Sequence, residues 1–325
     1  MYEAKNGFET GMQCRFSWLQ LNTFALVATL VLSGQLGLAE EPNQQGFRSP
    51  EEAGAALFAA AQQTDNRALL EILGPAGNDL VSSVDPAEDK KERERFVAKY
   101  KEMHRVAKDP GGVMVLYVGA ENWPLPIPLV EKNGVWCFDT HAGKEEILAR
   151  RVGRDELAAI NACSELVNAE ERHYARTTYG EHQYAVQFIS DDDRQDGLFS
   201  SEIREQSGGP VDPLIASAGV TKTTSGVDAL APQHSEPFNG YYFRILTAQG
   251  RNVEGGAKSY IVNGKMVAGF AFVAYPAAYS SSGIMTFIVN QNGVVYQKDL
   301  GPDTNKIASA MTEYDPDSTW ERTVD

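Results

Sequence analysis

The feature that most constrains this chain is a pattern used twice: helix signals first, then antiparallel strands closed by Asn-Gly. Asn133-Gly134 leads into Val135-Trp136-Cys137-Phe138-Asp139, and Asn292-Gly293 leads into Val294-Val295-Tyr296-Gln297-Lys298. Asn and Gly accept the positive φ that a tight hairpin turn requires, so Asn-Gly between apolar runs reads as a hairpin. The expected fold class is α+β, in two modules. The first sets helices on a curved antiparallel sheet, a half-open cone. The second packs a long helix on an antiparallel sheet. A chain of 325 residues with 42% hydrophobic and 22% charged residues can bury cores of that size.

Helix starts are written in side-chain chemistry. Ser49-Pro50-Glu51-Glu52 supplies an N-cap, a proline in the first turn and a capping-box glutamate. Asp65 opens a short second helix that Gly74-Pro75 stops. Asp85-Pro86-Ala87-Glu88 begins a longer one, expected to place Phe96, Val97, Tyr100, Met103, His104 and Ala107 on one face and Lys90, Glu92, Arg93 and Glu94 on a solvated face. Strands follow at Val113–Val118, Ile127–Glu131 and Val135–Asp139. A short helix is expected over Gly143–Arg151, broken at Gly153, and a long one from Arg154 to about Tyr174. Beyond it, Tyr184–Ile189, Tyr241–Thr247, Ser259–Val262, Val267–Tyr275 and Ile284–Val289 are rich in β-branched and aromatic residues, hence strands. Leu214–Ala218 reads as one helical turn, and the tail after Tyr314 as loose.

The N-terminus carries an address. Arg15 precedes an apolar stretch holding Leu19, Phe24, Leu26, Val27, Leu30 and Leu32, which ends in Leu36-Gly37-Leu38-Ala39 before Glu40-Glu41-Pro42. This is the build of a secretory signal over residues 1–39, and the apolar core is short for a membrane-spanning helix. The expected modules are then 47–152 and 153–315, in a periplasmic or secreted protein with no integral membrane domain after signal removal. Charges within 1–39 cancel, so its removal leaves the net charge at −15. That excludes nucleic acid as a partner, since phosphate binding needs clustered Lys and Arg. Cys137 and Cys163 would persist as buried thiols or, in an oxidising compartment, as a pair.

Several longer phrases carry a resemblance: Arg48-Ser49-Pro50-Glu51-Glu52-Ala53, Trp123-Pro124-Leu125-Pro126-Ile127-Pro128-Leu129-Val130, Trp136-x-Phe138-Asp139-Thr140, Gly143-Lys144-Glu145-Glu146-Ile147, Gly240-Tyr241-Tyr242-Phe243-Arg244 and Thr286-Phe287-Ile288-Val289. Together they resemble an uncharacterised bacterial envelope family, catalogued as domain of unknown function twenty-nine fifty, over about residues 47–315. The family has no established activity, so the resemblance implies an identity without a chemistry. In element order the first module is similar to the cystatin-like cone of nuclear-transport-factor folds. The second is similar to the globular half of a pilin, although the apolar N-terminal segment is separated from its helix by the whole first module.

No residue earns a catalytic assignment. Asp191, Asp193, Gln195 and Glu202 occupy the first, third, fifth and twelfth places of an EF-type calcium loop, but Asp196 stands where glycine is required; an acidic surface turn is the competing reading. Gly250–Ser259 imitates a phosphate loop with two residues inserted before Lys258, which reads as a hairpin connection. The candidates for a ligand or partner site are Trp123, Pro124 and Pro126, with Tyr100, His104, Trp136 and Asp139 around a pocket in the cone. Alternating prolines fix an extended edge poor in hydrogen bonds, suited to a pocket mouth or a partner. The expected function is a non-enzymatic binding or envelope-assembly component for an unknown envelope protein or small ligand. The alternatives are a hydrolase or isomerase using the first module's pocket through His104, Asp139 or His141, and a calcium-dependent structural protein. No other cofactor is expected.

Overall fold

The first two helices each begin on a side-chain cap. The computed structural model describes residues 44–82, 86–176, 182–190, 197–199 and 236–324. Helix α1 (Pro50–Gln63) begins at Ser49, whose side chain accepts from Glu52 N, while Glu52 Oε2 accepts from Arg48 N at 2.9 Å. Helix α2 (Asn66–Leu73) begins at Asp65, which accepts from the Arg67 and Ala68 N–H groups. Caps of this kind contribute about 1 kcal/mol each. A short helix α3 (Asn78–Val81) and the longer α4 (Pro86–Glu102) complete the layer.

These helices lie on an antiparallel sheet of β1 (His104–Lys108), β2 (Met114–Val118), β4 (Leu129–Lys132) and β5 (Val135–Phe138), in that order, with β3 (Trp123–Pro124) paired to β2. Asn133 and Gly134 have φ of 52° and 80°, and Lys132 faces Val135 across them, as the two-residue turn demands. One expectation fails here. The helix predicted to reach Ala107 stops at Glu102, and His104–Lys108 is an edge strand. Residues 109–112 turn on Asp109, whose carboxylate accepts from Val113 N at 2.8 Å, and bring His104 opposite Val118. The Gly119 N–H then takes up the Lys99 and Met103 carbonyls at the helix end. Strand pairing outweighs the helical spacing of the apolar residues.

A second expectation fails at Gly153. Helix α5 runs unbroken from Thr140 to Arg176, 37 residues and about 55 Å long. Asp139 caps it, its carboxylate accepting from Ala142 N at 3.1 Å. Gly143 lets the first turn approach the sheet, since a Cβ there would stand 2.7 Å from Ile127 Cγ1. Gly153 has no such reason: a Cβ there would meet nothing within 4 Å. Glycine inside a helix costs roughly 0.5–1 kcal/mol relative to alanine. Gly153→Ala is therefore expected to raise unfolding stability by about that amount in urea denaturation; a loss would show that the helix needs a flexible joint.

The carboxyl half of α5 packs against a second sheet. Short strands β6 (Gln187–Ile189) and β7 (Gly197–Phe199) pair in parallel beside it. The main antiparallel sheet contains β8 (Tyr241–Leu246), β13 (Ala271–Pro276), β14 (Met285–Asn290), β15 (Tyr296–Asp299) and β17 (Glu321–Arg322), in the order β17-β15-β14-β13-β8. Small pairings of β9 (Ala248–Gln249), β10 (Lys258–Ser259), β11 (Ile261–Val262), β12 (Lys265–Met266) and β16 (Glu313–Tyr314) decorate its end. Gly250–Ser259 is the β9–β10 connection, its bend held by the Gln249 amide donating to the Glu254 and Gly256 carbonyls. Every residue of β13 is buried because α5 packs against it and so does a second helix, α6 (Thr304–Ala310). Sheet strands covered on both faces lose the in–out alternation. The tail is not loose: Trp320 packs over Lys298, and Thr323 N donates to the Val295 carbonyl. The class is α+β, with one hydrophobic cluster around Phe272 and Phe287 and others around Leu57 and Tyr100. No helix among the described residues is long and apolar enough to cross a membrane.

Candidate functional site

The helix-on-sheet module is not filled. A cavity of about 660 Å³ opens between α1, α2, α4 and the connection from β2 to β4. Small-molecule pockets run roughly 300–1,000 Å³. Its walls are mostly carbon: Leu57 and Ala61 from α1, Leu69 and Leu73 from α2, Phe96 from α4, Leu125 and Ile127 from the connection, and Ile147 from α5.

The prolines explain why this side stays open. Pro124, Pro126 and Pro128 have no N–H to give, so the stretch cannot build a continuous ladder. β2 pairs with β3 only at Tyr117–Pro124 and Val118–Trp123, and with β4 only at Met114–Leu129. Between them Leu125 N donates to the Leu116 carbonyl at 2.8 Å. Arg150 of α5 holds this edge from outside: its Nη1 donates to the Pro124 carbonyl at 2.8 Å, and its guanidinium lies 5.2 Å from the Trp123 ring centroid. Trp123 is 49% exposed at the cavity wall, so it does not fill the core.

Charges gather along α4 and the connection. Lys99 Nζ sits 2.8 Å from Glu121 Oε2 and 3.2 Å from Glu102 Oε2. The Glu121 hydrogen bond holds the Lys99 ammonium above its ordinary pKa, and Lys99 in turn holds the Glu121 carboxyl below its own. Arg95 pairs with Glu92 at 3.0 Å. Arg93 differs: its Nη1 donates to Asn66 Oδ1 at 2.7 Å and to the Val81 carbonyl at 3.1 Å, and its Nε is shielded from water without a partner. The expected solvated face of α4 is thus broken at Arg93, which turns into the cavity wall. Its spacing to Phe96, Val97 and Tyr100 is helical, and that was the available signal.

The other sequence candidates are dispersed. Trp123 and Pro126 line the cavity, and Pro124 flanks it. Tyr100 is buried, its ring between Phe58 at 4.4 Å and His104 at 3.9 Å, and burial raises its hydroxyl pKa. His104 lies exposed on the edge strand, and its Nδ1 meets the Tyr100 carbonyl at 3.0 Å, so that nitrogen is the donor. Trp136 pairs through its backbone with Phe47 and packs into the core. Asp139 caps α5. None of His104, Asp139 and His141, the groups the hydrolase or isomerase reading named, lines the cavity. Cys137 and Cys163 are both free and buried, so the disulfide alternative fails; burial pushes the Cys163 thiol up to about 12. Asp191, Asp193, Gln195, Glu202 and the turn at Leu214–Ala218 lie outside the described residues. Among the described residues no group of three His, Cys, Asp or Glu side chains is placed to hold a metal.

A family model described as "Protein of unknown function (DUF2950)" matches residues 44–323. The chain belongs to the DUF2950 family. No curated protein and no solved structure matches it. For this DUF2950 chain the likenesses to a cystatin-like cone and to a pilin therefore rest on element order alone, and the function has to be argued from the cavity.

Proposed function

We propose that this DUF2950 chain is an exported binding protein that holds a small, largely apolar ligand in the cavity of its first module. The supporting observation is the wall itself: carbon from helices α1, α2, α4 and α5 and a proline-held edge, open to solvent, with Lys99 and Arg95 already neutralised by carboxylates. Such a surface gains by covering apolar area, about 0.8 kcal/mol for each methylene removed from water. Affinity for straight-chain alcohols is therefore expected to rise about fourfold per added methylene until the cavity is filled.

Displacement of a fluorescent apolar probe measures this directly. Ala61→Phe, which places a ring in the cavity from α1, is expected to weaken probe binding at least about tenfold while leaving the thermal transition in place. Unchanged probe affinity in that variant, or a flat dependence on chain length, would overturn the reading. Export by residues 1–39 belongs to the same proposal, and amino-terminal sequencing of the protein from its native cell tests it.

A further inference from the structure

Among the charged groups on the cavity wall, one cation is left without a carboxylate partner among the described residues. Arg95 has Glu92, and Lys99 has Glu102 and Glu121. Arg93 has only the neutral oxygens of Asn66 and Val81, both on Nη1. Of the five N–H donors of a guanidinium, that leaves the one on Nε and the two on Nη2. They lie along one edge, the edge whose fork matches the two oxygens of a carboxylate. Nε is also shut off from water with nothing to donate to, an arrangement that costs free energy until a partner arrives. Asn66 and Val81 hold the guanidinium from the opposite side, so its direction is set before any ligand binds.

We infer that the ligand is an amphiphile with a singly charged carboxylate head: its apolar tail lies along Leu57, Leu69 and Phe96, and its head closes on the Nε–Nη2 edge of Arg93. This rests on the binding reading above and names the ligand class for that same cavity. A single charge is favoured because Asp89, Glu92 and Glu121 share the wall, so a second negative charge would face carboxylates rather than a second free cation. The tail supplies affinity without regard to the head, and the head supplies discrimination between molecules with the same tail.

The test is calorimetric titration of the full chain, and of its Arg93→Gln and Arg93→Lys variants, with decanoate, decanol and decyl phosphate at about pH 8. Decanoate is expected to bind the unaltered chain at least about tenfold more tightly than decanol, the usual effect of a hydrogen bond to a charged group. Arg93→Gln should abolish that preference while leaving decanol within about twofold, and Arg93→Lys should keep part of it. Decyl phosphate, doubly charged at this pH, should bind more weakly than decanoate. Equal binding of decanoate and decanol to the unaltered chain would overturn the inference and leave the binding proposal standing. So would a preference that survives Arg93→Gln, and tighter binding of decyl phosphate would overturn the single-charge assignment. No binding of any of the three would overturn the binding proposal itself. Should Arg93→Gln fail to fold, the ratio in the unaltered chain and its reduction in Arg93→Lys still decide the matter.

Discussion

Arg244→Met is expected to destabilise the chain by about 2–4 kcal/mol, through carbonyls left without donors and a lost charge at a helix end. Arg244 sits on β8 at 4% exposure and has no carboxylate partner among the described residues. Its Nη1 donates instead to the carbonyls of Ala308 at 3.0 Å, Met311 at 3.3 Å and Ser309, the C-terminal end of α6. That end carries partial negative charge and orphan acceptors, which a cation satisfies. Methionine fills similar space but leaves the carbonyls facing a low-dielectric interior. Arg244→Lys should recover part of the loss, because an ammonium can serve fewer of the three acceptors. Urea denaturation of the three proteins measures this; equal midpoints for Arg244→Met and the unaltered chain would mean that α6 is held by packing alone.

Raising the pH is expected to weaken the fold through Glu170. This side chain lies on α5 with no exposed surface; Oε2 accepts from Ala185 N at 2.8 Å, and Oε1 has no partner. Burial lifts its pKa from 4.5 to about 8, against a smaller downward pull from the Ala185 hydrogen bond. The folded chain therefore keeps this proton up to about pH 8, whereas the unfolded chain releases it near 4.5. The associated stability is present in full below the lower value and is lost as pH climbs to the upper one, at about 1.4 kcal/mol per pH unit inside the window. Glu170→Gln keeps an acceptor for Ala185 N and removes the ionisation. Its stability should exceed that of the unaltered chain increasingly from about pH 5 to about pH 8, by on the order of 3 kcal/mol at neutrality. Parallel pH profiles for the two proteins would show that Glu170 ionises without opening the fold.

Local chemistry was the legible part of this chain. Ser49 and Asp65 name their helices because each cap acts within three residues, and Asn133-Gly134 names its turn because only a positive φ fits there. Asn239-Gly240 and Asn263-Gly264 adopt the same left-handed turn and carried the same signal, which was missed because the apolar runs beside them are shorter. What escaped was set by tertiary partners. His104–Lys108 has helical spacing and becomes a strand because β2 is there to pair with it. Gly153 is a poor helix residue that stays helical because α5 is fixed on either side of it, by Thr140 on the Leu73 carbonyl and by Glu156 on the Ile284 and Met285 N–H groups. Helix α6 is seven residues with no strong stripe, and its end depends on an arginine far away in sequence. Of the candidate site, Trp123 and Pro126 could be read from composition. Arg93 could be read only by noticing that a charged residue shared the apolar stripe of α4.

The central claim is that the first module's cavity takes an apolar chain. Methyl chemical shifts, recorded while decanoate is titrated into the isotope-labelled protein, test it most directly. The account predicts shifts at Leu57, Leu69, Leu73, Leu125, Ile127 and Ile147, with Ile288, Val289 and Leu246 in the second module unmoved. Shifts confined to the second module, or none at ligand concentrations that saturate the titration, would contradict it.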